Sequence, residues 1–175
     1  MANIFFASDH HLGHENMLKF KRNDDSPLRD FSHVDHMNEY IIERHNARVR
    51  PGDKTYFLGD VVMSHKWLYL LDRMNGEKVL IKGNHDTAKL SQYTPYFKDI
   101  RGSHQFSGII MTHIPIHSEC LARWGVNIHG HLHYHKIMDQ YGRPDKRYYN
   151  VSMECLKDYT PISLEEIKSE LDLMA

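Results

Sequence analysis

Short apolar runs in this chain stop abruptly on residues that carry chemistry, and this pattern constrains the fold more than any other feature. "NIFFA" (3–7) runs into Ser8-Asp9-His10-His11, "KTYFL" (54–58) into Gly59-Asp60, "KVLI" (78–81) into "KGNHD", and "GIIMT" (108–112) into His113. With "VNI" (126–128), which leads into "HGHLHYH", and "RYYNV" (147–151), they make six predicted strands. Helical patterns fill the gaps. Ser32 with Asp35 three residues on predicts a capping box opening a helix over 33–49, with Val34, Met37, Ile41, His45 and Val49 as its buried stripe. "SHKWLYLLDRMNG" (64–76) reads as a second helix stopped by Gly76, and Ser163 with Glu166 caps a third over 164–174. The turn signal "QYGRPD" predicts a hairpin between "HKIMD" (135–139) and "KRYYNV" (146–151). Strands alternating with helices define an α/β domain, in which sites form outside the carboxyl ends of the strands.

Composition sets the bounds. A chain of 175 residues, 41% hydrophobic and 26% charged, is expected to form one globular domain over 1–175. Its net charge of -1 gives no overall basic field to draw it to nucleic acid or an anionic membrane. Cys120 and Cys155 form no CxxC pattern, so a thiolate zinc site is disfavoured and reduced thiols are expected. "MANIFFASDH" lacks a basic n-region, and its apolar run is too short for a signal peptide or a membrane span. A cytoplasmic protein is the expectation. The 15 histidines are unusually many, and histidine is the commonest metal ligand.

Collected from the strand ends, Asp9, His11, Asp60, Asn84, His113, His131 and His133 form a mixed nitrogen and oxygen donor set. Such a set suits Mn, Fe, Zn or Ni better than Ca or Mg. Seven ligands exceed one tetrahedral zinc, but they fit two ions if one carboxylate bridges. Two ions about 3.5–4 Å apart are a known device for in-line phosphoryl displacement, because they lower the pKa of a shared hydroxide and neutralise phosphoryl charge. A leaving alkoxide still needs a proton, and His85 stands beside Asn84 to give one, with Asp86 next in sequence and able to orient that imidazole if its side chain faces the site.

Asp9-x-His11, Gly59-Asp60, Gly83-Asn84-His85-Asp86, His113 and Gly130-His131-Leu132-His133, in this order, resemble the calcineurin-like metallophosphoesterase family over residues 9 to 133. The resemblance implies a four-layer α-β-β-α sandwich of two mixed β-sheets flanked by helices. It also implies two divalent transition-metal ions, Mn foremost. Asp9, His11, Asp60 and His133 would hold one ion; Asp60 as bridge, Asn84, His113 and His131 would hold the other, with His85 as proton donor. "FFASDHHLGHENM" further resembles small bacterial and phage members that carry a His and an Asn after the first motif, here His14 and Asn16. The chain departs from many relatives after Gly59-Asp60, where "VVMS" replaces an Asp-Arg-Gly turn. The expected substrate is a small phosphorylated molecule, with a nucleotide or cyclic nucleotide the class suggested by the family's breadth.

Other residues admit two readings. His14 either contacts substrate or supports a ligand carboxylate, and Asn16 shares its loop. Arg22, in "KFKR", belongs either to a solvated charged face or to a grip on a phosphate or carboxylate. His10 should point away from its ligand neighbours by alternation. His129 and His135 are expected to stand outside the metal set, because Gly130 breaks the regular alternation between them. Competing functions are a nuclease or nucleic-acid end-processing enzyme of the same chemistry, which a basic patch of "KFKR" with Arg143, Lys146 and Arg147 would favour, and a non-catalytic module on the same fold. "HGHLHYH" echoes the HxHxDH motif of metallo-β-lactamases, but lacks its Asp.

Overall fold

The structure, a computed structural model, describes residues 2–172. Its elements are β1 (Ile4–Ala7), α1 (Val34–Arg48), β2 (Lys54–Phe57), β3 (Glu77–Ile81), α2 (Leu90–Tyr93), β4 (Asp99–Arg101), β5 (His104–Phe106), β6 (Ile109–Met111), β7 (Val126–His129), β8 (Tyr148–Asn150), β9 (Ile162–Ser163) and α3 (Leu164–Glu170). Among the described residues nine strands make two mixed sheets, ordered β4-β3-β2-β1-β9 and β5-β6-β7-β8. In the first, β1 to β4 are parallel and β9 runs antiparallel to β1. In the second, β6, β7 and β8 are parallel and β5 closes the edge antiparallel. This is the expected sandwich of two mixed sheets flanked by helices, and one apolar core takes side chains from both, including Phe6, Phe57, Leu80, Met111 and Ile128.

The six predicted strands form where they were expected. β4, β5 and β9 are additional; each has two or three residues, none fully buried, so no apolar run announces them. α1 forms over the expected span with Met37, Ile41 and His45 buried, but its cap is not Ser32. His33 is the extended N-cap residue, and its Nδ1 accepts from the His36 N–H at 3.1 Å. The stretch 65–73 is a 3-10 helix rather than an α-helix. Its buried Leu68 and Leu71, followed by the cap residue Met74, stand three positions apart, the repeat of a 3-10 helix, with Leu70 buried beside them. The Ser163–Glu166 capping box opens α3 as expected, whereas positions 173 and 174 of that predicted helix lie outside the described residues. No ladder joins 135–139 to 146–151. The turn closes with one bridge, Met138 to Pro144, while Tyr148–Asn150 pairs in parallel with the buried strand β7. Among the described residues no helix is long and apolar enough to cross a membrane.

His45 puts an imidazole into the core between α1 and β2, stacked on Phe57 with its Nε2 3.0 Å from the Asn75 carbonyl. Burial lowers its pKa to about 4, from an ordinary 6.5. The unfolded chain therefore takes up a proton between pH 6.5 and about 4 that the folded chain refuses, so stability falls as pH drops through that window. The loss is about 3 kcal/mol at one decade of equilibrium per pH unit. His45→Leu should lose about 3 kcal/mol less stability than the wild type between pH 7 and pH 4 in urea titrations. Identical pH slopes for the two proteins would refute this.

Candidate metal centre

The loops after β1 and β2 continue side by side beyond the sheet. Asp9 N–H donates to the Gly59 carbonyl (3.0 Å), His11 N–H to that of Asp60 (3.0 Å), and Leu12 N–H to that of Val61 (3.1 Å). The loop after β8 joins them through a parallel bridge between Ser8 and Ser152. In the loops after β1, β2 and β7, Asp9, His11, Asp60, His131 and His133 all adopt positive φ, between 48° and 68°. That left-handed conformation is unfavourable for most side chains and least so for Asn, Asp and His. It turns Asp9 and His11 to one side. His10 between them is driven into the core against Phe57, with ring centroids 4.8 Å apart, as alternation predicted.

Two clusters of possible metal ligands result: Asp9, His11 and His133, and Asp60, His113 and His131. Asp60 ties them together. Its Oδ2 lies 3.3 Å from His113 Nε2 and 3.8 Å from His11 Nε2, so one carboxylate oxygen faces both clusters. Asn84 joins the second, its Oδ1 2.9 Å from His113 Nε2. The structure thus brings all seven predicted ligands into two adjoining groups.

The donor set fits cations. His113 Nδ1 must donate to the Leu58 carbonyl at 2.7 Å, so its Nε2 faces two oxygen acceptors, those of Asp60 and Asn84. Burial opposes it, but the Asp60 and Asp9 carboxylates raise the ring's pKa and so favour positive charge at this point. In the first cluster Asp9 Oδ1 and both His11 ring nitrogens are buried without a hydrogen-bond partner among the described residues. Converging lone pairs with no proton between them call for positive charge. Burial raises the Asp9 carboxyl above the usual carboxylate range and holds His11 well below the usual imidazole range, in the neutral form a metal needs.

Glycines make room for the two carboxylates. A side chain at Gly130 would strike Ser8 and the Asp9 carboxylate, and one at Gly83 would strike Asp60. Asp86 does not orient His85, the role the sequence left open for it. Its buried carboxylate accepts from the N–H groups of Asp60, Val61 and Gly83 (2.8–3.1 Å), tying the ligand loop after β2 to the one after β3. His85 is exposed, its ring centroid 5.6 Å from that of His11, and its own N–H donates to Asp60 Oδ1 at 2.8 Å.

Sequence reasoning missed the groups that hold the first cluster from behind. Ser152 donates to Asp9 Oδ2 (2.9 Å), Asn150 donates to the His133 and His135 carbonyls, and Glu154 stands 3.1 Å from His133 Nδ1. Burial would raise the Glu154 carboxyl, but the Arg29 guanidinium and the His133 ring bring it down to about 2. Glu154 follows "NVSM" with no motif around it, and Arg29 lies 125 residues away. Neither gives a local signal.

His14 packs beside the site, its ring 5.5 Å from His11 and edge-on to the exposed Phe20. Asn16 is exposed and accepts from Lys19 Nζ at 3.1 Å. Arg22 lies over the ring of Tyr134, 5.0 Å from its centroid and next in sequence to His133. His129 is buried at the end of β7 with Nδ1 2.8 Å from the Gly130 carbonyl, and His135 is exposed; neither belongs to a ligand cluster.

No family model matches the chain. It is 35% identical over 175 residues to the uncharacterized protein MJ1445 of Methanocaldococcus jannaschii, spanning 95% of this chain and 90% of that protein, and it belongs to the same family. Among solved structures, a protein of unknown function from Aquifex aeolicus, AQ665, superposes with a TM-score of 0.73 at 24% identity, over 97% of this chain and 100% of that one. That likeness is one of fold. A novel archaeal phosphodiesterase matches with a TM-score of 0.48 at 15% identity, over 86% of this chain and 82% of that one.

Proposed function

We propose that the protein is a calcineurin-like, dinuclear metal-dependent phosphoesterase that hydrolyses mono- or diesters of a small, nucleotide-like substrate. The observation that carries this reading is the Asp60 carboxylate, one oxygen of which faces both ligand clusters. Two divalent ions held there, Mn foremost and Fe, Zn or Ni as alternatives, would supply an activated water and neutralise charge on the phosphoryl oxygens. The chain's own residues do the rest. Asp60 Oδ1 fixes the loop carrying His85, which leaves that ring at the solvent face beside His11. There His85 can protonate the departing alkoxide as the ester P–O bond breaks, while His14, Asn16 and Arg22 line the approach and contact the substrate.

Four of the basic residues that would favour a nuclease stand beside acidic ones, which dilutes the local positive field. Lys21 pairs with Asp25, Arg143 with Asp139, Lys146 with Asp172 and Arg147 with Asp145. A small soluble ester fits this mixed-charge surface better than a polyanion does, and the cytoplasm is the setting we propose for it. Metal-free protein should hydrolyse nitrophenyl phosphate mono- or diesters, or cyclic nucleotides, only after Mn is added, and chelation should abolish the activity. Failure to hydrolyse any of them with Mn, Fe, Zn or Ni would overturn the proposal.

A further inference from the structure

A buried charged pair underlies the first ligand cluster and has no counterpart under the second among the described residues. The Arg29 and Glu154 side chains are fully shielded from solvent, and Arg29 Nε donates to Glu154 Oε1 at 2.7 Å. Arg29 also donates from Nη1 to the His10 carbonyl (2.7 Å) and from Nη2 to that of Asp9, gripping the backbone between two ligands that adopt positive φ. The other oxygen of Glu154, Oε2, lies 3.1 Å from His133 Nδ1. Arg29 cannot give up its proton, so Glu154 must act as acceptor toward both neighbours. In its neutral form His133 then carries its hydrogen on Nδ1 and presents a bare Nε2. In the second cluster His113 has only the neutral Leu58 carbonyl behind it, and the His131 ring makes no hydrogen bond among the described residues.

We propose that Arg29 and Glu154 are positioning residues that make the Asp9–His11–His133 site bind its ion first and more tightly than the Asp60–Asn84–His113–His131 site. The inference rests on the metal-centre reading. A carboxylate behind an imidazole fixes its tautomer and strengthens the donor nitrogen, and its loss weakens metal affinity about 10- to 100-fold. Glu154→Gln has a specific consequence. Its single oxygen must serve Arg29, so its amide N–H groups face His133 Nδ1 and drive the hydrogen onto Nε2, the wrong nitrogen for a ligand.

The test is calorimetric titration of metal-free protein with Mn(II). Wild type should bind two ions in two steps, and His133→Ala should remove the tighter step. Glu154→Gln should weaken that step about 10- to 100-fold while the weaker one stays unchanged. A tighter step lost in His131→Ala instead, or two unchanged steps in Glu154→Gln, would overturn the asymmetry and leave the dinuclear reading standing. Wild type that takes up no Mn would overturn both. A measurement on the unmutated protein guards against a misfolded variant: long-range nitrogen–proton correlations of the His133 ring at alkaline pH. Hydrogen on Nδ1 in the metal-free state supports the proposal, and hydrogen on Nε2 refutes it.

Discussion

Asp60→Asn should cut Mn-dependent hydrolysis of a nitrophenyl phosphate ester by about 10³-fold or more, since one change removes charge from both clusters at once. The substitution is isosteric, and the reason for so large an effect is local. The His85 N–H donates to Asp60 Oδ1 and will keep an oxygen there. The new amide N–H groups must then point where Oδ2 faced His11 Nε2 and His113 Nε2, putting donors in place of the shared acceptor. Metal content should fall together with turnover, while the fold persists, because Asp86 still holds the Asp60 and Gly83 N–H groups. Activity within tenfold of wild type would exclude Asp60 as the shared ligand.

Arg29→Met should destabilise the protein by about 3–5 kcal/mol, the cost of leaving a buried carboxylate without its counter-charge. Met fills a similar length of channel, so little of this loss would come from a cavity. Three oxygen acceptors would lose their donor: Glu154 Oε1 and the carbonyls of Asp9 and His10. Adding Glu154→Leu to Arg29→Met should restore part of the stability, because an apolar pair of similar volume carries no stranded charge. It should not restore metal binding. Urea titrations of the three proteins give the comparison. A single substitution costing under about 1 kcal/mol would show that solvent reaches the pair.

How much of this was legible beforehand depends on how local each signal is. The strands ending in Asp9, Asp60, Asn84 and His113 announced themselves because each is an apolar run cut short by a polar residue, and the ligands sit at the cut. The edge strands β4, β5 and β9 did not, because a half-exposed "DIR", "HQF" or "IS" has no periodicity to detect. The His33 cap was hidden because Ser32 is the stronger capping residue by type. Asp86 was read as a neighbour of His85, although its partners are the backbone of another loop. Arg29 and Glu154 were invisible for a different reason. Their meaning lies in a contact across 125 residues, which no spacing rule reaches.

The Asp9 carboxylate is oriented by the N–H of His131 and the hydroxyl of Ser152, which follow it by 122 and 143 residues. Asp9 is translated before both partners, so the two hydrogen bonds that orient its carboxylate form only once the chain has reached Ser152. An emerging chain leaves the first ligand cluster only partly oriented until then, however complete its early strands. A fragment ending just before Ser152 should therefore hold an ion less tightly at the first cluster than the protein does, although all seven ligands are already in it.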